Sequence, residues 1–144
     1  MSGALTTFER MFDPWALTDK RGIPVHRTPL RLASGFTDGH RVWLDERLTA
    51  VEARCALTHE LVHISRGHDR HQPTAVEDLV RAETARLLVP WEAIAAHTGS
   101  QLNSWHLAQE LGVTENVLAD RLQYASAEEL QVLRGAGGLG SGVC

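Results

Sequence analysis

The sequence predicts an α+β fold in which a short antiparallel sheet is followed by helices. Three observations carry that expectation. Residues 35–48, GFTDGHRVWLDERL, place Asp38-Gly39 between apolar runs, the signal of a tight hairpin. Residues 54–68, RCALTHELVHISRGH, switch to helical spacing and set two histidines and a glutamate inside an apolar run. From residue 74 onward, helical spacing recurs segment after segment.

Residues 1–22 read as an irregular or short helical lead-in. Residues 23–32, IPVHRTPLRL, are extended, and Pro24 and Pro29 suit an edge strand better than a central one. The hairpin leads into a strand at residues 41–45. Thr49 with Glu52 three residues on is a capping box, so a helix starts near Ala50 and runs to about Arg66, ahead of Gly67. Ala50, Ala53, Leu57, Leu61 and Ile64 form one stripe on it; Val51, Cys55 and Val62 form a second. A helix apolar around so much of its circumference is buried on several sides. Thr74 with Glu77 reads as another capping box, opening a helix that Pro90 stops near Val89. A short helix closed by Gly99, two helices around a turn at Gly112, and a last helix over residues 126–134 follow. The Gly-rich end reads as disordered.

A chain of 144 residues has room for one domain with a small appendage. Its net charge of -4 argues against a general nucleic-acid binder. The two cysteines, Cys55 and Cys144, form no disulfide framework and lack metal-ligand spacing, which fits a reduced, cytoplasmic setting. Neither a signal peptide nor an 18-residue apolar run is present, so no membrane association is expected.

The costly residues in the apolar helix need a reason. His59-Glu60-Leu61-Val62-His63 is H-E-x-x-H. The i, i+4 spacing puts both imidazoles on one helix face, where a single Zn²⁺ can meet both. Glu60, offset by one residue step, can reach a water held there without being a ligand and take its proton. Imidazoles and a carboxylate are expensive to bury unless paired or bound to metal. Chance placement would produce the pattern roughly three times in a hundred chains of this composition, and the helical context makes a metal site the better reading. A His₂-carboxylate set also accepts Mn²⁺.

A third ligand is required. His68, Asp69 and His71 lie past the helix end, and H-E-x-x-H-x-x-G-x-x-H is not met, because Gly67 and His68 each sit one position off. In the next helix, Glu77 lies in the first turn on the packing face, with Glu83 as the other choice. Spacing leaves both open, since Glu77 also fits the capping box.

The stretches VWLDERLTAVEARCALTHELVHISRGH and VEDLVRAETARLLVP resemble the ImmA/IrrE-type metallopeptidases, and more closely their short actinobacterial and phage forms. The resemblance covers residues 41–90 well and extends loosely to 121. It implies a small zincin-like metallopeptidase core over residues 1–90. A helical, helix-turn-helix-like subdomain over 91–134 and a disordered tail over 135–144 complete the reading. In that family the third ligand is a glutamate thirteen residues before the proline of the LLxP ending, which is Glu77 here. The chain departs from the family at Val80, Arg81 and Glu83, so Glu83 stays as the alternative. The implied activity is zinc-dependent endopeptidase cleavage of an intracellular regulatory protein, a helix-turn-helix repressor of a phage, mobile element or stress response. His59, His63 and Glu77 would hold the metal and Glu60 would be catalytic.

The other reading is a catalytically silent DNA- or protein-binding regulator with a structural metal site. Ala108, Leu111-Gly112-Val113 and Val117 sit at helix-turn-helix offsets. The exposed face of the second helix is expected to carry Glu115 and Asp120 against Arg121 alone, which would repel phosphate.

Overall fold

A computed structural model describes residues 11–97, 99 and 101–135, with backbone alone at 132–135. Residues 1–10 of the lead-in and residues 136–144 of the tail, Cys144 included, lie outside the described residues. Two units are distinguished: Asp13–Thr84, and the described residues from Ala85 onward with Met11 and Phe12.

The first unit opens with helix α1, Pro14–Arg21. Asp13 caps it by accepting from the backbone N–H groups of Trp15 and Ala16 at 3.0 and 3.2 Å. Three strands follow: β1 (Val25–Thr28), β2 (Gly35–Thr37) and β3 (Val42–Asp45). Their order is β1-β3-β2. β2 and β3 form the expected antiparallel hairpin, with Gly35 opposite Leu44. Its turn is held by Asp38, whose Oδ1 accepts from the N–H groups of His40 and Arg41.

The sheet as a whole is not antiparallel as expected. β1 runs parallel to β3, with Val25 opposite Val42. The chain crosses from β1 to the far side of β3, lays down β2 there, and returns, so β1 and β3 point the same way. β3 is therefore the central strand and burying Val42 and Leu44 is its task; both are fully buried. β1 takes the edge position that its flanking prolines suit.

Helix α2, Ala50–Ser65, begins at the capping box: Glu52 N–H donates to Thr49 Oγ1, and Thr49 N–H to Glu52 Oε1. Its Ala53, Leu57 and Leu61 pack on Val42 and Leu44, with Leu17, Ile23, Val25 and Leu48 around them. Each large aliphatic side chain so buried contributes about 2 kcal/mol of transfer free energy. The second stripe is buried at Cys55 and Val62, whereas Val51 stays exposed. Helix α3, Thr74–Leu88, follows, and the boundary between the units falls inside it.

The second unit contains α4 (Trp91–Ala95), α5 (Ser104–Leu111), α6 (Glu115–Gln123) and α7 (Ala127–Gly135). Gly112, in the left-handed region at φ 69, makes the turn after α5. Asp120 and Arg121 are not on the surface as expected: they are 8% and 4% exposed. Arg121 Nε donates to the Val89 carbonyl at 2.8 Å, and its two Nη atoms pair with Glu129 at 3.1 and 2.7 Å. Glu129 and Ser126 also exchange the two bonds of a capping box for α7. Among the described residues no helix is long and apolar enough to cross a membrane.

Candidate metal centre

One turn of α2 separates His59 from His63, and their ring centroids lie 5.0 Å apart. Both turn Nε2 toward the same atom, Glu77 Oε1, at 3.4 Å from His59 and 3.2 Å from His63. Donor atoms of all three residues lie within 4.8 Å of one another. A tetrahedral ion with bonds of about 2.05 Å separates its donors by about 3.3 Å. The spacing thus fits a zinc-sized ion. His63 is the most buried of the three and His59 the most exposed, so the cluster opens on the His59 side.

Glu77 does not act as the third member of a capping box. Thr74 is the first residue of α3 rather than its cap, and the N–H groups of Val76 and Glu77 both reach the Pro73 carbonyl at 2.9 Å. The Glu77 carboxylate instead accepts from the Gln72 N–H at 2.8 Å through Oε2, which leaves Oε1 facing the histidines. Glu83 is paired with Arg66 at 2.9 Å, so the structure brings Glu77 and not Glu83 to the histidine pair.

The loop residues divide. Asp69 pairs with Arg70, and the exposed His71 stands 3.4 Å from Glu77 Oε2. His68 comes back to the cluster from behind: its Nδ1 lies 2.9 Å from His63 Nδ1, on the ring edge opposite Glu77. Nothing in the H-E-x-x-H spacing singles this contact out.

The protonation states suit a cation. Burial holds both imidazoles below the usual histidine range, against the opposing pull of Glu77. For Glu77, burial pushes upward, but the Gln72 N–H and the nearby imidazoles outweigh it and keep the carboxyl below its ordinary value. Neutral imidazoles beside an ionised carboxylate are the states a divalent ion binds.

Glu60 differs from Glu77. It is 8% exposed, and burial together with the Glu77 charge pushes its carboxyl up to about 7. A carboxyl titrating near neutrality is suited to taking and returning a proton. Strand β2 lies against it at Gly35, where an added Cβ would stand 3.2 Å from Glu60 Cγ. That close approach explains a glycine the sequence alone left unremarked.

Compared with models of known families, residues 18–123 match that of the IrrE N-terminal-like domain, Peptidase M78. No curated protein matches, and no solved structure does. The match spans most of the chain and includes the H-E-x-x-H helix, the helix bearing Glu77 and the helices around Gly112. The chain belongs to the Peptidase M78 family of IrrE N-terminal-like domains, a family of metallopeptidases.

Proposed function

We propose that this protein is a zinc-dependent endopeptidase, with His59, His63 and Glu77 as the metal ligands and Glu60 as the catalytic acid–base. The observation that carries the reading is the approach of two Nε2 atoms to one carboxylate oxygen at 3.2 and 3.4 Å beside a buried glutamate of raised pKa. When bound, the ion supplies a Lewis acid that lowers the pKa of water in the site to about 7 and polarises a carbonyl. The same donor set accepts Mn²⁺.

The chain's own residues do the rest. His59 and His63 offer neutral Nε2 lone pairs, and the Gln72 N–H keeps Glu77 turned toward them. Glu60 takes the proton of the attacking water and returns it to the nitrogen of the leaving amine. Central strand β3 has both neighbours filled, so a peptide cannot add there. Among the described residues β2 has a free edge, and it lies against Glu60 through Gly35, so a substrate strand added to β2 would pass the acid–base.

The substrate is an intracellular regulatory protein, a helix-turn-helix repressor of a phage, mobile element or stress response; family resemblance supports this. The same resemblance supports a cytoplasmic location and the division into a core over residues 1–90 and a helical subdomain over 91–134. The DNA-binding alternative loses its one cation on α6, because Arg121 is buried against Glu129 while Glu115 and Asn116 are exposed.

The test incubates the zinc-loaded protein with repressors encoded beside it and reads fragments by mass spectrometry. Cleavage by the wild type, with none by Glu60→Gln at equal zinc content, is expected. Undiminished cleavage by Glu60→Gln would sink the assigned mechanism.

A further inference from the structure

We infer that His68 is a positioning residue for the metal centre: it accepts the Nδ1–H of His63 and thereby fixes the tautomer and ring plane that aim His63 Nε2 at the ion. This rests on the proposed role of His63 as a ligand. It adds a residue that belongs to neither the H-E-x-x-H pattern nor the three-ligand set.

The geometry begins with how α2 ends. Gly67 N–H donates to the Ile64 carbonyl at 3.0 Å and His68 N–H to the His63 carbonyl at 2.9 Å. These are the paired bonds of a Schellman motif, and Gly67 at φ 77 is its left-handed residue. A Cβ at Gly67 would meet nothing within 4 Å, so the dihedral and not space demands glycine. The turn reverses the chain and lays the His68 ring against His63, with centroids 5.2 Å apart. From the other side, the β2–β3 turn closes on this segment. A Cβ at Gly39 would stand 3.3 Å from Asp69 Cβ and 3.5 Å from the His68 carbonyl oxygen. The backbone of His68 is therefore held by the helix end and by the hairpin.

The chemistry allows one arrangement. A neutral imidazole carries one N–H. If the Nε2 lone pair of His63 goes to the ion, its proton is on Nδ1, 2.9 Å from His68 Nδ1. His68 Nδ1 must then be the acceptor, with its own proton on Nε2. Ligating histidines ordinarily pass this N–H to a carboxylate, a carbonyl or water. A neutral imidazole does the same work without adding negative charge behind the metal. The run His63-x-x-x-Gly67-His68 is the local sequence that builds the device.

The test measures zinc affinity of the full chain by competition with a chromophoric chelator. His68→Leu removes the acceptor and should weaken zinc binding about 10- to 100-fold. His68→Asn keeps an acceptor oxygen near the place of Nδ1 and should recover affinity to within about 3-fold of wild type. Thermal unfolding of the metal-free variants separates loss of fold from loss of positioning. Wild-type affinity in His68→Leu, or no recovery in His68→Asn, overturns the inference while leaving the metal centre standing. Failure of the wild type to bind zinc overturns both. A readout that needs no variant is long-range proton–nitrogen NMR of the zinc-loaded protein. It should show His63 protonated at Nδ1 and His68 at Nε2; a proton on His68 Nδ1 refutes the assignment.

Discussion

Replacing Glu60 by Gln should stabilise the metal-free protein at neutral pH, although it removes the proposed acid–base. Glu60 is buried, and burial first, then the Glu77 charge, push its carboxyl from 4.5 up to about 7. Between those values the unfolded chain has released a proton that the folded chain still holds. Stability therefore falls as pH rises through this window, and the loss is complete above about pH 7. The gap between 4.5 and about 7 corresponds to about 3 kcal/mol. Gln fills the same space without ionising. The variant should thus exceed wild type by about 3 kcal/mol near pH 8 and by under about 1 kcal/mol near pH 5. Urea denaturation of both proteins in chelator, from about pH 5 to about pH 8, reads this as a midpoint difference growing to about 1.5 M. A difference that stays flat with pH, or a less stable variant near pH 8, would refute the reasoning. Zinc should shrink the difference, because a nearby dication favours the ionised carboxylate.

Two further outcomes follow from contacts outside the metal cluster. Gly35→Ala places a Cβ 3.2 Å from Glu60 Cγ and 3.3 Å from Leu44 Cδ2. Single-turnover cleavage should slow by about 10-fold through displacement of Glu60, with zinc content unchanged. Glu129→Gln breaks the bidentate pair with buried Arg121, which holds the Glu129 carboxyl at about 2. The pair's stabilisation, about 2 kcal/mol after allowance for partial exposure of the carboxylate, is fully present above pH 4.5 and disappears as pH falls through about 2. Thermal unfolding of variant and wild type should therefore differ near neutrality and converge in acid.

What was legible in the sequence was local. The start of α2 follows from Thr49 and Glu52, three residues apart, and its end from Gly67. The direction of β1 was not legible, because parallel pairing with β3 is decided by a crossover through β2 rather than by either strand's residues. The capping box expected at Thr74 failed for a local reason the pattern overlooks. Helix α3 begins one residue early, with the N–H groups of Val76 and Glu77 on the Pro73 carbonyl, so Thr74 lies inside the helix and Glu77 falls one position past that of a capping-box carboxylate. It turns to the Gln72 N–H and leaves its other oxygen for the histidines. Arg121 looked exposed because it is charged; its partner, eight residues on, neutralises it in the interior. His68 lies past the helix end in linear spacing, which is true of its position along the helix axis. The left-handed turn at Gly67 folds it back onto His63, a reversal that linear spacing does not register.

The most direct test of the account is the metal content of the purified protein, by mass spectrometry of the acid-digested sample, beside that of Glu77→Gln. We expect about one zinc per wild-type chain and a marked loss in the variant. No zinc retained by the wild type after incubation with the ion, or equal zinc in both proteins, would contradict it.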